Sequence, residues 1–316
     1  MLKQKVKLIV KRLFYSYYNI YLILFVIFII GLSSHHAFGS PRNLMNILRQ
    51  VSILLILSVG QNFVILTGGI DLSVGSIVSF VAVVVVTLIP TYGTFLSILI
   101  GLSLGFAIGA INGLIISKFK IMPFLMTFCS YIIFQGLALL FGEGVCMNVY
   151  EPSYLKISAS SVFGIIPATV AYSLIVFSVG ALLLSRTIFG IGVYAVGGNE
   201  EAARLSGINT GLTKLLTYAI SGFLAGLAAI ILSSLLHIGH ALMGVGYELD
   251  SIAAVCIGGT LLTGGEGSLI GTLGGVLIMG ILKNIFNLQG ISPYVQQVAT
   301  GMIILLAVLF AKKKSK

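Results

Sequence analysis

Runs of about 20 apolar residues, the length that crosses a hydrocarbon core as a helix, recur along the whole chain between short polar or glycine-rich breaks. They predict helices near residues 20–38, 46–67, 72–89, 94–116 and 123–142, then 164–184, 213–236, 250–263, 268–283 and 296–311, with the 250–263 segment short for a crossing. The expected fold is all-α: a polytopic membrane protein of about ten transmembrane helices, forming one domain over residues 1–316. An even number of crossings leaves both termini on one side.

One polar stretch interrupts this pattern. Gly197 to Asn209 reads GGNEEAARLSGIN and holds Glu200, Glu201 and Arg204 in a chain of which only 8% is charged. Asn199 suits an N-cap, and Glu200 and Glu201 in a first turn suit the positive end of the helix dipole. Glu200 and Arg204 stand four apart in the order that pairs on one helix face. Gly197 and Gly198 bound the stretch before it and Gly207 after it. A short amphipathic helix outside the bilayer is predicted here, within a loop over residues 190–212.

Composition supports the membrane reading: 58% of the residues are hydrophobic, and the 38 glycines fit helices that approach closely. The net charge of +10 would suit nucleic acid, but its placement excludes that partner. Nine basic residues lie in tails at residues 1–19 and 312–316 (Lys3, Lys5, Lys7, Lys11, Arg12, Lys312, Lys313, Lys314 and Lys316). With Lys118, Lys120, Arg186, Arg204 and Lys214 they make fourteen on one side, against Arg42, Arg49, Lys156 and Lys283 on the other. Basic residues gather on the cytoplasmic side of membrane proteins, so both termini and the Gly197–Asn209 stretch are expected in the cytosol, and the 143–163 loop outside. The basic start, the apolar run Ile20–Leu32 and Ala37-Phe38-Gly39 resemble a signal peptide. An uncleaved first span is the expectation, because the chain that follows inserts by itself.

Glycines recur every fourth residue at Gly101, Gly105, Gly109 and Gly113, again at Gly267, Gly271 and Gly275, and at Gly222 and Gly226. This spacing bares one helix face and predicts close helix packing. The tetrapeptide LeuThrGlyGly occurs at Leu66–Gly69 and at Leu262–Gly265, each between two predicted spans on the cytosolic side.

Few residues offer chemistry. In GGIDLSVGS, from Gly68 to Ser76, Asp71 stands just ahead of an apolar run. A carboxylate inside a span is unfavourable by about 2.5–3.5 kcal/mol, so Asp71 either caps the following helix or marks a break beside a transport path. It could also be the coupling group of an ion- or proton-driven secondary transporter. Glu248 and Asp250 lie on the outer side, with Asp250 as a helix cap, and are candidates for an outer gate or a binding-protein contact. His237 and His240 lie upstream, but the region lacks the further ligand a zinc site needs. Cys129, Cys146 and Cys256 are far apart, without metal or disulfide spacing. No metal site is expected. Polar or aromatic groups able to line a path are Gln61, Asn62, Phe63, Asp71, Asn112, Tyr131 and Gln135, with Phe134, Asn284 and Thr300 beside them. GxSxG and HExxH are absent, and without a Gly-Lys pair there is no phosphate-cradling P-loop. The chain is therefore expected not to be an enzyme, and not to bind and hydrolyse ATP unaided.

Four stretches in order, GGIDLSVGS at Gly68, GGNEEAARLSGIN at Gly197, GYELDSIAAVCIGGTLLTGGEGS at Gly246 and GTLGGVLIMGILKN at Gly271, resemble the ribose-type permease subunits of bacterial ABC sugar importers. The resemblance runs from about Leu44 to Leu309. It implies a permease of the bacterial inner membrane, paired with a second copy or a related permease chain and surrounded by membrane lipid. It further implies an ABC ATPase partner with two cytosolic ATPase domains, which bind ATP and magnesium, and an extracytoplasmic sugar-binding protein. Glu201-Ala202-Ala203 followed by Gly207 also resembles the EAAxxxG pattern through which importer permeases engage their ATPases. The resemblance thereby implies ATPase coupling through Asn199, Glu200, Glu201, Ala202, Arg204, Leu205 and Gly207.

Overall fold

A computed structural model describes residues 2–162 and 164–314, with side chains described for residues 18–162, 164–303 and 305. The basic side chains of both tails, residue 163 of the 143–163 loop and residues 315–316 lie outside that set. The described chain is all-α apart from four two-residue strands. Its helices are α1 (Leu2–Ser34), α2 (Pro41–Leu66), α3 (Val74–Phe119), α4 (Pro123–Gly142), α5 (Pro152–Ala159) and α6 (Ala168–Arg186), then α7 (Ile188–Gly198), α8 (Glu200–Leu205), α9 (Thr210–Leu236), α10 (Tyr247–Ile257), α11 (Leu269–Leu288) and α12 (Pro293–Lys314). Strand β1 (Met147–Asn148) pairs antiparallel with β4 (Ile238–Gly239), and β2 (Ser161–Val162) with β3 (Ile166–Pro167).

Among the described residues six helices, α2, α3, α4, α6, α9 and α11, are long and apolar enough to cross a membrane. The 46 residues of α3 hold two such lengths, because Gly93 (φ 74°, ψ 169°) breaks the helix. Its two halves fold back on each other, so that a Cβ on Gly101 would run into Val81 and Val85. At the centre is α2, buried without interruption from Val51 to Leu66, with 83% of its most apolar window buried against 17% for α4 and 28% for α6. Helices α4 and α6 present most of their surface outward.

The second half of α3 packs on α9 through glycine. A Cβ on Gly105 would fall 2.5 Å from the Gly222 carbonyl oxygen and 3.1 Å from the Gly226 Cα, and one on Gly109 would strike the Tyr218 carbonyl. The two backbones therefore touch directly, as the four-residue spacing predicts. The third series behaves differently: Gly271 and Gly275 lie in α11 against the α10 backbone, whereas Gly267 (φ 155°) precedes the helix.

Several boundaries differ from the sequence prediction. The first apolar helix ends at Ser34, not near residue 38, because Ser40 and Pro41 start α2 and the intervening turn buries Phe38 completely under Gly31. The short eighth segment occupies Tyr247–Ile257 and stops at Gly258 and Gly259. The 190–212 loop is mostly helical: Thr187 caps α7 by accepting the Gly190 N–H at 3.1 Å, and α8 follows Asn199 at once. The 143–163 loop carries α5, which closes over one end of α9. Tyr154 donates to the Ile230 carbonyl at 3.1 Å, and Ser234 donates to the Tyr154 carbonyl at 2.9 Å.

Overpacking the α3–α9 contact is predicted to destabilise the protein. Gly109→Leu should lower stability by about 1–3 kcal/mol or more, read as a lower melting temperature of the detergent-purified protein. Gly136→Ala, where a Cβ meets nothing within 4 Å, should leave it unchanged.

Candidate functional site

Helix α8 owes its existence to its two ends, since six residues are too few for a stable helix on propensity alone. Asn199 is extended (φ −163°, ψ 104°), and its Oδ1 accepts the Ala202 N–H at 2.9 Å. At the other end the Ser206 N–H reaches the Ala202 carbonyl at 3.0 Å, and Gly207 (φ 85°) turns the chain so that the Ile208 N–H returns to the Ala203 carbonyl at 3.1 Å. Asn209 then caps α9 by accepting the Leu212 N–H at 2.9 Å. The helix is thus held at both ends.

Its charge pairing differs from the four-residue spacing. Arg204 binds Glu201 in bidentate fashion, Nε to Oε2 at 3.2 Å and a terminal nitrogen to Oε1 at 2.5 Å, whereas Glu200 takes Lys214 of α9 at 2.6 Å. The guanidinium reaches the residue three positions back, and Glu200 is drawn off by a lysine that lies elsewhere in the sequence. Hydrogen bonding to Arg204 holds the Glu201 carboxyl below its usual range. Both members of that pair are solvent-exposed, so they set the surface pattern of the helix more than its stability. Ala203 is buried beneath α8, Ile208 is half-buried, and Leu205 is 77% exposed.

The candidate path residues fall into two groups. Gln61, Asn62, Phe63, Asp71 and Asn112 are buried around the break between α2 and α3. Asp71 stands two residues before the cap position, which Ser73 occupies. Its Oδ1 accepts the Ser73 N–H at 2.9 Å and the Ser73 hydroxyl at 2.6 Å, and its Oδ2 accepts the Ser221 hydroxyl at 2.8 Å. Asn112 donates to the Ser73 hydroxyl at 3.0 Å. With its amide oriented to satisfy both groups, Gln61 spans the Asp71 backbone N–H and carbonyl at 3.3 and 3.2 Å. Asn62 donates to Thr260 at 3.0 Å and to Thr272 at 2.7 Å, and so ties α2 to the α10–α11 break and to α11. Phe63 stacks on Phe189 of α7 at 5.9 Å.

The second group is half-buried on α4. Tyr131 stacks on Phe128 at 6.4 Å, and Gln135 donates to the Ala241 carbonyl at 2.7 Å. Glu248 accepts the Gly246 N–H at 3.1 Å. Asp250 is not the helix cap: Gly246 holds that position, and Asp250 pairs with Lys283 of α11. Asn284 exchanges two amide hydrogen bonds with Asn43, both at 2.9 Å, joining α11 to α2.

The sequence reading missed the hydroxyls that complete these networks, Ser73, Ser221, Thr260 and Thr272, and also Asn43. Ser and Thr are ordinary in membrane helices, and only their adjacency to the helix breaks could have singled them out. Several buried polar atoms, among them Asn62 Oδ1, Gln135 Oε1 and Tyr218 Oη, have no hydrogen-bond partner among the described residues. Among the described residues no three of His, Cys, Asp and Glu gather as a metal site. A cavity of about 580 Å³ opens between α1, α2 and α11, lined by apolar and aromatic side chains that include Tyr21, Phe25, Leu48 and Leu277. None of the candidate path residues lines it.

A bundle of long apolar helices with one capped, charged, exposed helix between α7 and α9 is the architecture of a membrane-embedded protein. Residues 43–309 match the family described as branched-chain amino acid transport system / permease component, and the chain belongs to that family. It is 42% identical over 294 residues to the ribose import permease protein RbsC of Bacillus subtilis, covering 92% of this chain and 91% of that one. It is 40% identical over 283 residues to the RbsC of Escherichia coli K12, 88% of each chain, and 33% identical over 280 residues to that organism's L-arabinose transport system permease protein AraH, 88% and 85%. No solved structure gives a significant match. Membership among permease components sets aside the alternative of an ion-driven carrier coupled through Asp71.

Removing the cap of α8 is predicted to loosen it. Asn199→Ala should weaken the helix by about 1 kcal/mol, roughly a fivefold rise in amide hydrogen exchange over residues 200–205, while Asn199→Ser should restore protection. Equal exchange in all three proteins would show that the cap does not hold this helix.

Proposed function

We propose that this chain is the transmembrane permease subunit of an ATP-driven ABC importer that passes a monosaccharide, a ribose-like pentose, a hexose or a related sugar, from a binding protein into the cytoplasm. The reading is carried by 42% identity across 92% of the chain to a ribose import permease, and relatives named for L-arabinose widen the substrate class to sugars. A further relative, 38% identical over 291 residues, is named an inner membrane ABC transporter permease, which supports an inner-membrane location.

In this reading the topology has ten membrane segments: the six long helices with α3 counted twice, together with α1, α10 and α12. Both termini and α8 face the cytosol, supported by the fourteen-to-four distribution of basic residues. A second copy or a related permease chain completes the pathway within the lipid bilayer. Gln61, Asn62, Phe63, Asp71, Asn112, Tyr131 and Gln135 belong to the translocation path, and Glu248 and Asp250 to its outer gate or to the contact with the sugar-binding protein. The chain itself binds no ATP, and Mg-ATP resides on the ATPase subunit.

Helix α8 docks into that ATPase subunit. Leu205 is the apolar anchor, Glu201 and Arg204 set register at the rim, and Asn199 and Gly207 fix the ends. Docked interfaces draw most of their energy from buried apolar anchors, and rim charges steer. ATP-driven movement of the partner then favours one arrangement of the permease through unequal contact with its two states.

Leu205→Asp is predicted to reach the membrane at normal levels while losing both ATPase co-purification and sugar uptake. A panel of labelled monosaccharides, offered to cells expressing the whole transporter, should give saturable uptake of one sugar class. Normal co-purification and uptake in Leu205→Asp would remove α8 from the mechanism.

A further inference from the structure

Three glycine-bearing segments meet at one point in the fold. Leu66 is the last residue of α2, and its carbonyl is one of those that a helix leaves unsatisfied at its C-terminus. That carbonyl accepts the Gly265 N–H at 3.0 Å, which brings the two LeuThrGlyGly segments face to face. Gly197, in the last turn of α7, lies against the same pair, so that a Cβ there would collide with the Leu66 carbonyl and meet the Gly265 amide nitrogen at 2.5 Å. Gly264 (φ 84°) completes the contact, since a Cβ on it would fall 2.6 Å from the Gly68 amide nitrogen and 3.0 Å from the Gly197 Cα. Tyr194, one turn earlier in α7, adds a second tie by donating to the Gly267 carbonyl at 3.0 Å.

The location gives this contact its meaning. Only Gly198 and Asn199 separate Gly197 from the first residue of α8. On the α2 side the chain runs directly into the break that holds Asp71, whose backbone Gln61 of α2 spans. On the other side it runs along the α10–α11 break, whose Thr260 bonds Asn62. Backbone packed this closely moves as a body, because no side chain intervenes to absorb a displacement.

We infer that Gly197 is a positioning residue for transport: its contact with Leu66 and Gly265 locks α8 to both helix breaks, so that motion of α8 displaces the two breaks together. The inference rests on the docking of α8 proposed above. Gly198 is the natural internal control. It sits next to Gly197 at the same helix end, yet a Cβ on it meets nothing within 4 Å.

The test compares wild type, Gly197→Ala, Gly198→Ala and Leu205→Asp in the complete transporter with its ATPase and binding protein, reading co-purified ATPase, sugar uptake and the stimulation of ATP hydrolysis by sugar-loaded binding protein. Gly198→Ala is expected to match wild type. Gly197→Ala is expected to keep its ATPase and basal hydrolysis while losing at least about tenfold in uptake, together with the stimulation, a split that simple destabilisation does not produce. Uptake within twofold of Gly198→Ala would overturn the inference. Leu205→Asp separates the two readings: if it keeps both ATPase and uptake, the docking reading itself fails, whatever Gly197→Ala does. Should Gly197→Ala fail to accumulate in the membrane, Tyr194→Phe decides. It removes the bond to the Gly267 carbonyl without adding bulk, and is expected to lower uptake several-fold with the ATPase retained; unchanged uptake would contradict the inference.

Discussion

A backbone group buried away from water must find its partner inside the protein, and this chain interrupts its helices twice in the buried interior. The rest of the fold is arranged around meeting that requirement. After α2 the chain leaves helical geometry for seven residues, Thr67 to Ser73, and the Asp71 carboxylate there accepts one backbone and two hydroxyl donors. After α10 the second break gives the Gly265 N–H to the orphan Leu66 carbonyl at the start of the first. Each interruption is satisfied partly by the other.

That mutual satisfaction needs backbones within van der Waals reach, and glycine provides it at two levels. Between α3 and α9, Gly105, Gly109 and Gly222 remove the side chains that would separate the helices. These contacts bring Ser221 of α9 to Asp71 and Asn112 of α3 to Ser73. At the breaks, Gly68, Gly197 and Gly264 let three chain segments cross without intervening side chains. The polar network around Asp71 therefore depends on the glycine packing around it. Three oriented donors, one backbone N–H and two hydroxyls, satisfy the buried Asp71 carboxyl in place of a cation.

The sequence made the fold legible wherever one physical rule dominated. Span length located most of the long helices, and the four-residue glycine spacing marked close-packing faces on α3 and α9 without pairing them, because a bare face has little use other than close approach. Capping chemistry found α8 from Asn199 and Gly207. Three features escaped. Helix α7 falls in a stretch that reads as loop, because eleven residues fall short of a span and nothing in periodicity announces a helix that packs beside one. The four-residue spacing points Glu200 to Arg204, and Asp250 reads as a helix cap, whereas Glu200 finds Lys214 and Asp250 finds Lys283, partners that only folding brings near. The repeated LeuThrGlyGly was visible as a repeat but not as a contact, since two identical tetrapeptides carry no information about their distance in space. Among candidate path residues, Asn62 and Gln61 were recognisable as polar groups in an apolar helix, whereas the hydroxyls they answer to look like any other serine or threonine.

The central claim is that α8 and the two breaks form one mechanical unit. Spin labels at Leu205 and Thr263, both exposed positions, measure it directly in the assembled transporter by pulsed dipolar spectroscopy, without nucleotide and with ATP trapped. The account predicts that the distance between these labels stays constant, while that from Leu205 to a label at the far end of α2, at Asn46, changes. A Leu205–Thr263 distance that shifts as much as the Leu205–Asn46 distance would contradict it.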